Sequence, residues 1–274
     1  IDLKGSYTGN GVFNAQQGTV TLNGIAQQQI GGTGNTSFYN LTLQNSAGAS
    51  VNNPTNLINT LTCNVGNFIN NATTFTLLSS ASNTARIAPL LVGTYTGEIT
   101  MQRFAPGGVT GWAFISAPVT GAKINQWTDD FPSSGFIGSS GYSGGFISIF
   151  YYDEQIGGAW DSPNSYVPVT NAASNNIIPG VGCWVYLGTS LNTTTDINID
   201  VTGTIVKGDF DFAPTNEFSG TGVANDGWNL IANPYPSAID WDAASGWNKV
   251  NVNNAVYIYQ ADLDQYSTYI AGVG

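Results

Sequence analysis

Carboxylates are the first groups in this chain that could do chemistry, because most other reactive side chains are missing or isolated. There is no histidine among the 274 residues, which removes Ser-His-Asp and Cys-His nucleophiles, His-ligated zinc and the common general base near neutral pH. The two cysteines, Cys63 and Cys183, are too distant in sequence for a local metal clip. They could pair across the chain, but free cysteine behaves as a small apolar residue, so two separately buried thiols are expected. No GxxxxGKS/T or GxGxxG stretch opens a helix, so phosphate-cradling loops are absent.

Paired acids remain, and a glycosidase needs only two. Asp129–Asp130, Asp153–Glu154, Asp240 with Asp242, and Asp262 with Asp264 are the available pairs. Hard cations want several oxygens, so the DxD loops are also the places to look for calcium. Asp240, Asp242, Asp262 and Asp264 are the candidate Ca2+ ligands, although the full EF-hand pattern is missing. Asp209 and Asp211 share that spacing within an alternating, strand-like run. Binding without catalysis calls instead for aromatic platforms, and Trp127, Trp160, Trp241 and Trp247 lie near loops where a glycan or protein surface could reach them. Every one of these acids could equally be a solvated loop residue with no ligand.

These groups must be carried by β-structure. Only 8% of residues are charged, 12% are aromatic, and Gly alone accounts for 34 residues. Few charges and many aromatics argue against disorder, and turn residues stand where helix formers would be. The net charge is −11. Residues 1–92 carry only Asp2, Lys4 and Arg86, so almost all the negative charge lies beyond them. Without a basic footprint, nucleic acid and anionic membranes are disfavoured partners. No apolar run approaches the roughly 18 residues of a transmembrane span. The chain opens on Ile1 without an initiator Met, which points to an upstream segment.

Two kinds of repeat organise the chain. Within residues 1–92, GTVTLNG, YNLTLQN, NTLTCNV and TTFTLLS place Leu22, Leu43, Cys63 and Leu77 in register, at spacings of 21, 20 and 14. Aliphatic residues alternate with Thr19, Thr21, Asn40, Thr42, Thr60 and Thr62, so a parallel β-solenoid would bury one ladder and expose the other. The short last spacing marks the coil ending or distorting. Regular threonine arrays on a flat solenoid face also suit ice binding, but these rungs are few and uneven.

The second repeat pairs GWAFISAPVT at 111–120 with GWNLIANPYP at 227–236. Trp112 aligns with Trp228, Pro118 with Pro234, the strand around Ile149 with that around Ile258, and Trp127 with Trp241 across a small gap. Gly permits a tight entry, Trp and the aliphatics anchor a buried strand, and Pro stops the ladder. Short strands between Gly, Pro and Asn breaks predict two antiparallel sandwich or jelly-roll modules, 93–200 and 201–274. The second lacks a counterpart to Ile178–Leu187. The chain is therefore expected to continue past Gly274, or to receive that strand from another chain.

Residues 18–45 resemble the solenoid repeats of very large secreted surface proteins of the Bacteroidota. The blocks GWAFISAPV…WTDDFP and GWNLIANPYPSAIDW…AVYIY resemble the modules that follow such repeats. The resemblance implies export by the type IX system, an extracellular or cell-surface location, and an adhesin-like role with a glycan, a protein or the export machinery as partner. The sorting domain that directs such export has no match here. The sequence thus predicts an all-β chain, a short solenoid leading into two related modules, that spaces and adheres. A carbohydrate-active enzyme using an Asp/Glu pair and a self-assembling fibre subunit with strand donation are two further readings.

Overall fold

The structure, a computed structural model, describes residues 1–274 except 72–73, 108–110, 142–144, 157–165, 188–195, 217–226, 261–262, 264 and 271–274. Those exceptions contain Trp160, Asp262 and Asp264, so three of the expected site residues lie outside the described residues. The fold is all-β: a parallel β-solenoid followed by antiparallel sheets.

Each turn of the solenoid has three sides. One side stacks Asp2–Leu3, Thr19–Leu22, then 40–43, 60–63 and Arg86–Ile87 in parallel. The second stacks Tyr7–Thr8, Gln28–Gly31, Ala49–Val51, Asn67–Asn70 and Thr94–Thr96. The third stacks Phe13–Asn14, 36–38, 55–57, Phe75–Leu77 and the start of Glu98–Ala105. Long strands Thr36–Gln44 and Thr55–Val65 span two sides because a register shift between Phe38 and Asn40 turns the corner. Leu22, Leu43 and Cys63 stack as the repeat predicts, all but excluded from solvent.

Leu77 does not join them. It pairs with Leu57 and Met101 on the third side, and the rung beyond 60–63 is supplied by Arg86–Ile87. Fourteen residues is about two thirds of a 20-residue turn, so the chain has moved to another side rather than completed a coil. The extra length before Arg86 is a small hairpin pairing Ser79–Ser80 with Asn83–Thr84.

The abundance of Asn has a physical reason here. Parallel stacking brings like positions of successive turns together, so side-chain amides can bond along the coil. Asn59 donates to Asn40 Oδ1 at 2.8 Å, Asn71 to Asn52 Oδ1 at 3.2 Å, and Asn64 to Gln44 Oε1 at 2.7 Å. Inside one corner, Asn45 donates to Ala26 O at 2.7 Å and to Gln28 Oε1 at 3.0 Å. Gln28 in turn donates to Leu3 O and Gly5 O. Each of these amides thereby pairs with backbone carbonyls at the corner.

The coil runs past residue 92. Glu98–Ala105 pairs in parallel with Phe75–Leu77 on one edge and antiparallel with Ile197–Ile205 on the other, and Val119–Thr120 extends the same sheet. Stalk and first module therefore share a sheet and one contiguous core from Val20 to Ile205. The first module adds a four-stranded antiparallel sheet, ordered Trp112–Ile115, Cys183–Tyr186, Ile149–Tyr152, Tyr166–Pro168. Ile149, Cys183 and Val185 point into the core. The alternate positions put Trp112, Phe114, Trp184, Tyr186, Phe150 and Tyr152 on the other face, half-buried.

The second module is built differently among the described residues. It has one two-stranded hairpin, Ala255–Gln260 with Gln265–Ile270, and no hydrophobic residue past Ile205 joins the core. Its GWNLIANP stretch forms no strand. A single antiparallel bridge from Ile231 to Val181 ties it to the first module, flanked by Gly182 N–H to Leu230 O and Ala232 N–H to Gly180 O.

Candidate functional site

The three expected tryptophans that are described fall into two places. Trp127 follows the 3₁₀ turn Ile124–Gln126 and is 1% exposed. It is a core residue with no ring face for a ligand, which corrects its assignment as a binding residue: the turn folds it under the module rather than out from a loop. Trp241 and Trp247 do come together, with ring centroids 4.9 Å apart at 64°. Between them sits a cation of the chain itself, Lys249 Nζ, 3.8 Å from the Trp241 ring and 5.4 Å from the Trp247 ring. Lys249 also donates to Trp241 O at 2.6 Å, while the two indole N–H groups donate to Asn254 O and Asp240 O.

The expected calcium ligands that are described are engaged by groups of the chain itself. Asp240 Oδ1 accepts the Asp242 N–H at 3.0 Å, and Asp242 Oδ2 accepts the Tyr269 hydroxyl. Among the described residues no three acidic or thiol side chains converge as a metal site would require. The cysteines are apart and buried, and burial pushes both thiols up to about 12.

A different group of residues does converge. Where the two modules meet, a cleft of about 320 Å³ is bounded by Tyr152, Asp153 and Glu154 from the first module and by Phe210, Asp211 and Phe212 from the connecting segment. Pro179 and Gly180 line it too, as do Asn229 and Ile231 of the GWNLIANP stretch. Phe210 and Phe212 meet edge to face at 5.0 Å, and Phe212 stacks on Trp247 at 6.3 Å and 24°. A row of half-buried rings therefore leads from the cleft to Trp241.

Local structure fixes each wall. Asp209–Phe212 lies outside any strand, contrary to its alternating pattern, and both Phe210 and Phe212 line the cleft. Gly180 has φ +80°, and a Cβ there would lie 2.4 Å from the Phe210 ring. Only glycine lets the ring approach the backbone so closely. Asn229 is held reciprocally by Thr215, accepting its N–H at 3.0 Å and donating to its carbonyl at 2.8 Å. Glu154 is buried and accepts the Gly227 N–H at 3.0 Å.

Rings and carboxylates around a cleft at a module junction are the chemistry of polyol recognition: ring faces for C–H surfaces, acids for hydroxyls. Asp153 and Glu154 were visible in the sequence as a pair. Phe210 and Phe212 were missed, although the Phe-Asp-Phe spacing was there to be noticed. Asp129 and Asp130 lie elsewhere, at the stalk junction. Asp130 Oδ2 accepts the Asp200 N–H at 2.7 Å, and burial pushes the Asp130 carboxyl up to about 6 and Asp200 upward too. The Ser79–Thr84 hairpin also lines a depression with Arg103, but Ser79 Oγ is engaged by Thr84 and by the Phe104 N–H.

No curated protein and no solved structure matches the chain. A family model described as a domain of unknown function, DUF8693, matches residues 5–271, and the chain belongs to that family.

Proposed function

We propose that this chain is a non-enzymatic segment of an extracellular surface protein, in which a solenoid stalk carries a glycan-binding cleft between two modules. The observation that carries this reading is the cleft itself, where Phe210, Phe212 and Tyr152 stand beside Asp153, Asp211 and Glu154. The stalk supports it mechanically: one core runs from the solenoid into the first module, so force or spacing passes through a continuous sheet. The resemblance to type IX-exported repeat proteins supports the extracellular setting and the adhesive role.

A glycan array probed with the chain, followed by calorimetry on the retained sugar, tests the reading. Retention that weakens about tenfold in Phe212→Ala supports it; no retained glycan at millimolar sugar overturns it. The same carboxylates favour a second reading, hydrolysis by an acid pair. Product analysis of the retained glycan separates the two: release of reducing ends, lost in Asp153→Asn, would replace binding with catalysis.

A further inference from the structure

Two depressions in this chain are lined by opposite charge. Asp153, Glu154 and Asp211 line the cleft between the modules, with no lysine or arginine beside them. The depression at the Ser79–Thr84 hairpin, about 490 Å³, is lined by Arg103 and by no acid. Its guanidinium belongs to one of only six cationic side chains in the sequence, and Arg103 is exposed. Asp200 on the adjoining strand stands opposite Gln102, so it belongs to the other face of the sheet.

The hairpin is an insertion in the coil. In the two turns before it, the third side passes to the first through residue 39 and through residues 58–59; here the passage is 78–85. Insertions into single turns of a repeat fold map to loops, often on the binding face. This one is also held in place. Asn83 donates to Ile58 O of the previous turn, and Ser79 Oγ bonds Thr84 Oγ1 at 2.7 Å while accepting the Phe104 N–H at 2.9 Å. Phe104 adjoins Arg103, so that last bond sets the hairpin beside the guanidinium. Ser80 and Ser82 are left exposed at the tip, their hydroxyl oxygens 3.3 Å apart.

We propose that this depression binds an anionic group of a polysaccharide, a sulfate ester or a carboxylate, with Arg103 on the anion and Ser80 and Ser82 on neighbouring hydroxyls. The planar fork of an arginine matches two oxygens of either anion, and its bonds to them are charge-assisted. Serine hydroxyls donate and accept, so they suit the sugar hydroxyls around such a group. The rest of the chain says how dense the charge can be. A net charge of −11 repels a closely spaced polyanion, and a nucleic acid carries one charge about every 1.7 Å of duplex. A lone arginine among hydroxyls fits an anion that is itself sparse among hydroxyls, which is an acidic polysaccharide. The site is separate from the cleft, and the inference stands without the cleft reading.

Retention of the whole chain on three dextrans tests it: one with sparse sulfate esters, one with sparse carboxymethyl groups and one plain. The chain should be held by a charged dextran and pass through the plain one, and the charged dextran that holds it identifies sulfate or carboxylate as the group. Arg103→Gln should weaken retention at least about tenfold, at an unchanged melting temperature because the side chain is exposed. Arg103→Lys, an ammonium without the fork, should keep only part of it. Arg86→Gln removes the chain's other arginine, which is exposed but outside the depression, and should leave retention unchanged. Phe212→Ala should also leave it unchanged, which separates this site from the cleft. Raising salt from about 50 to about 500 mM should release the chain. Passage through both charged dextrans at about 50 mM salt overturns the proposal. So does equal retention on all three, or an equal loss in Arg103→Gln and Arg86→Gln.

Discussion

The two copies of the Gly-Trp signature end in different structures. In the first, Trp112–Ile115 is a regular strand because Cys183–Tyr186 lies beside it, and Ile149 on the next strand is fully buried. In the second, the same signature makes one bridge, through Ile231, and Ile258 is more than half exposed. Trp127 is in the core, while its approximate counterpart Trp241 lies half-buried against Lys249. The difference teaches that the signature does not encode a strand by itself. A strand's preference is largely the packing of its neighbours, and the second copy has no such neighbour among the described residues.

Substitutions at matched positions can break that comparison. Trp127→Ala should cost about 3–5 kcal/mol in urea unfolding, whereas Trp241→Ala should cost about 1 kcal/mol, chiefly the exposed cation–π contact. Equal losses would mean that the second copy has a core of its own. Ile149→Ala should cost about 2–5 kcal/mol and Ile258→Ala no more than about 0.5 kcal/mol.

The junction sharpens the comparison further. Gly180→Ala forces a side chain onto a left-handed residue at about 1–2 kcal/mol, and the new Cβ displaces Phe210. Weaker retention on the glycan array should accompany the loss of stability, while Ile149→Ala should leave retention intact in the folded fraction.

The smallest effect concerns pH. Burial raises the Asp130 carboxyl from 3.8 to about 6 in the folded chain, so the folded state holds its proton more tightly than the unfolded state does. Its contribution to stability is therefore present below about pH 3.8 and lost as pH rises through about 6. The group is partly solvated, so the slope is shallow. Melting temperatures between pH 4 and pH 7 should fall less steeply in Asp130→Asn than in the unaltered chain.

Much of the stalk was legible in the residues alone. The alternation of Val20, Leu22, Leu41, Leu43, Leu61 and Cys63 with threonine and asparagine follows from a two-residue strand period, and the roughly 20-residue spacing follows from a coil of constant girth. Leu77 was misplaced because periodicity along a chain cannot tell three sides of a coil apart: Phe75–Leu77 has the same alternation but lies on another side. The candidate cleft was only half legible. Asp153–Glu154 stood out as a pair, but Phe210 and Phe212 read as a strand and Trp127 as a loop residue, since composition does not say which ring faces solvent.

The sequence by itself determined that the chain is all-β, that a parallel coil precedes antiparallel strands, and that it has no histidine with which to run the commonest chemistries. Those properties follow from residue types and short-range period. Only the tertiary structure decided which copy of the Gly-Trp signature became a strand, which tryptophan was buried, and which rings met around a cleft. Each of these depends on a partner far away in the chain, and pairing across that distance is set by packing rather than by local preference.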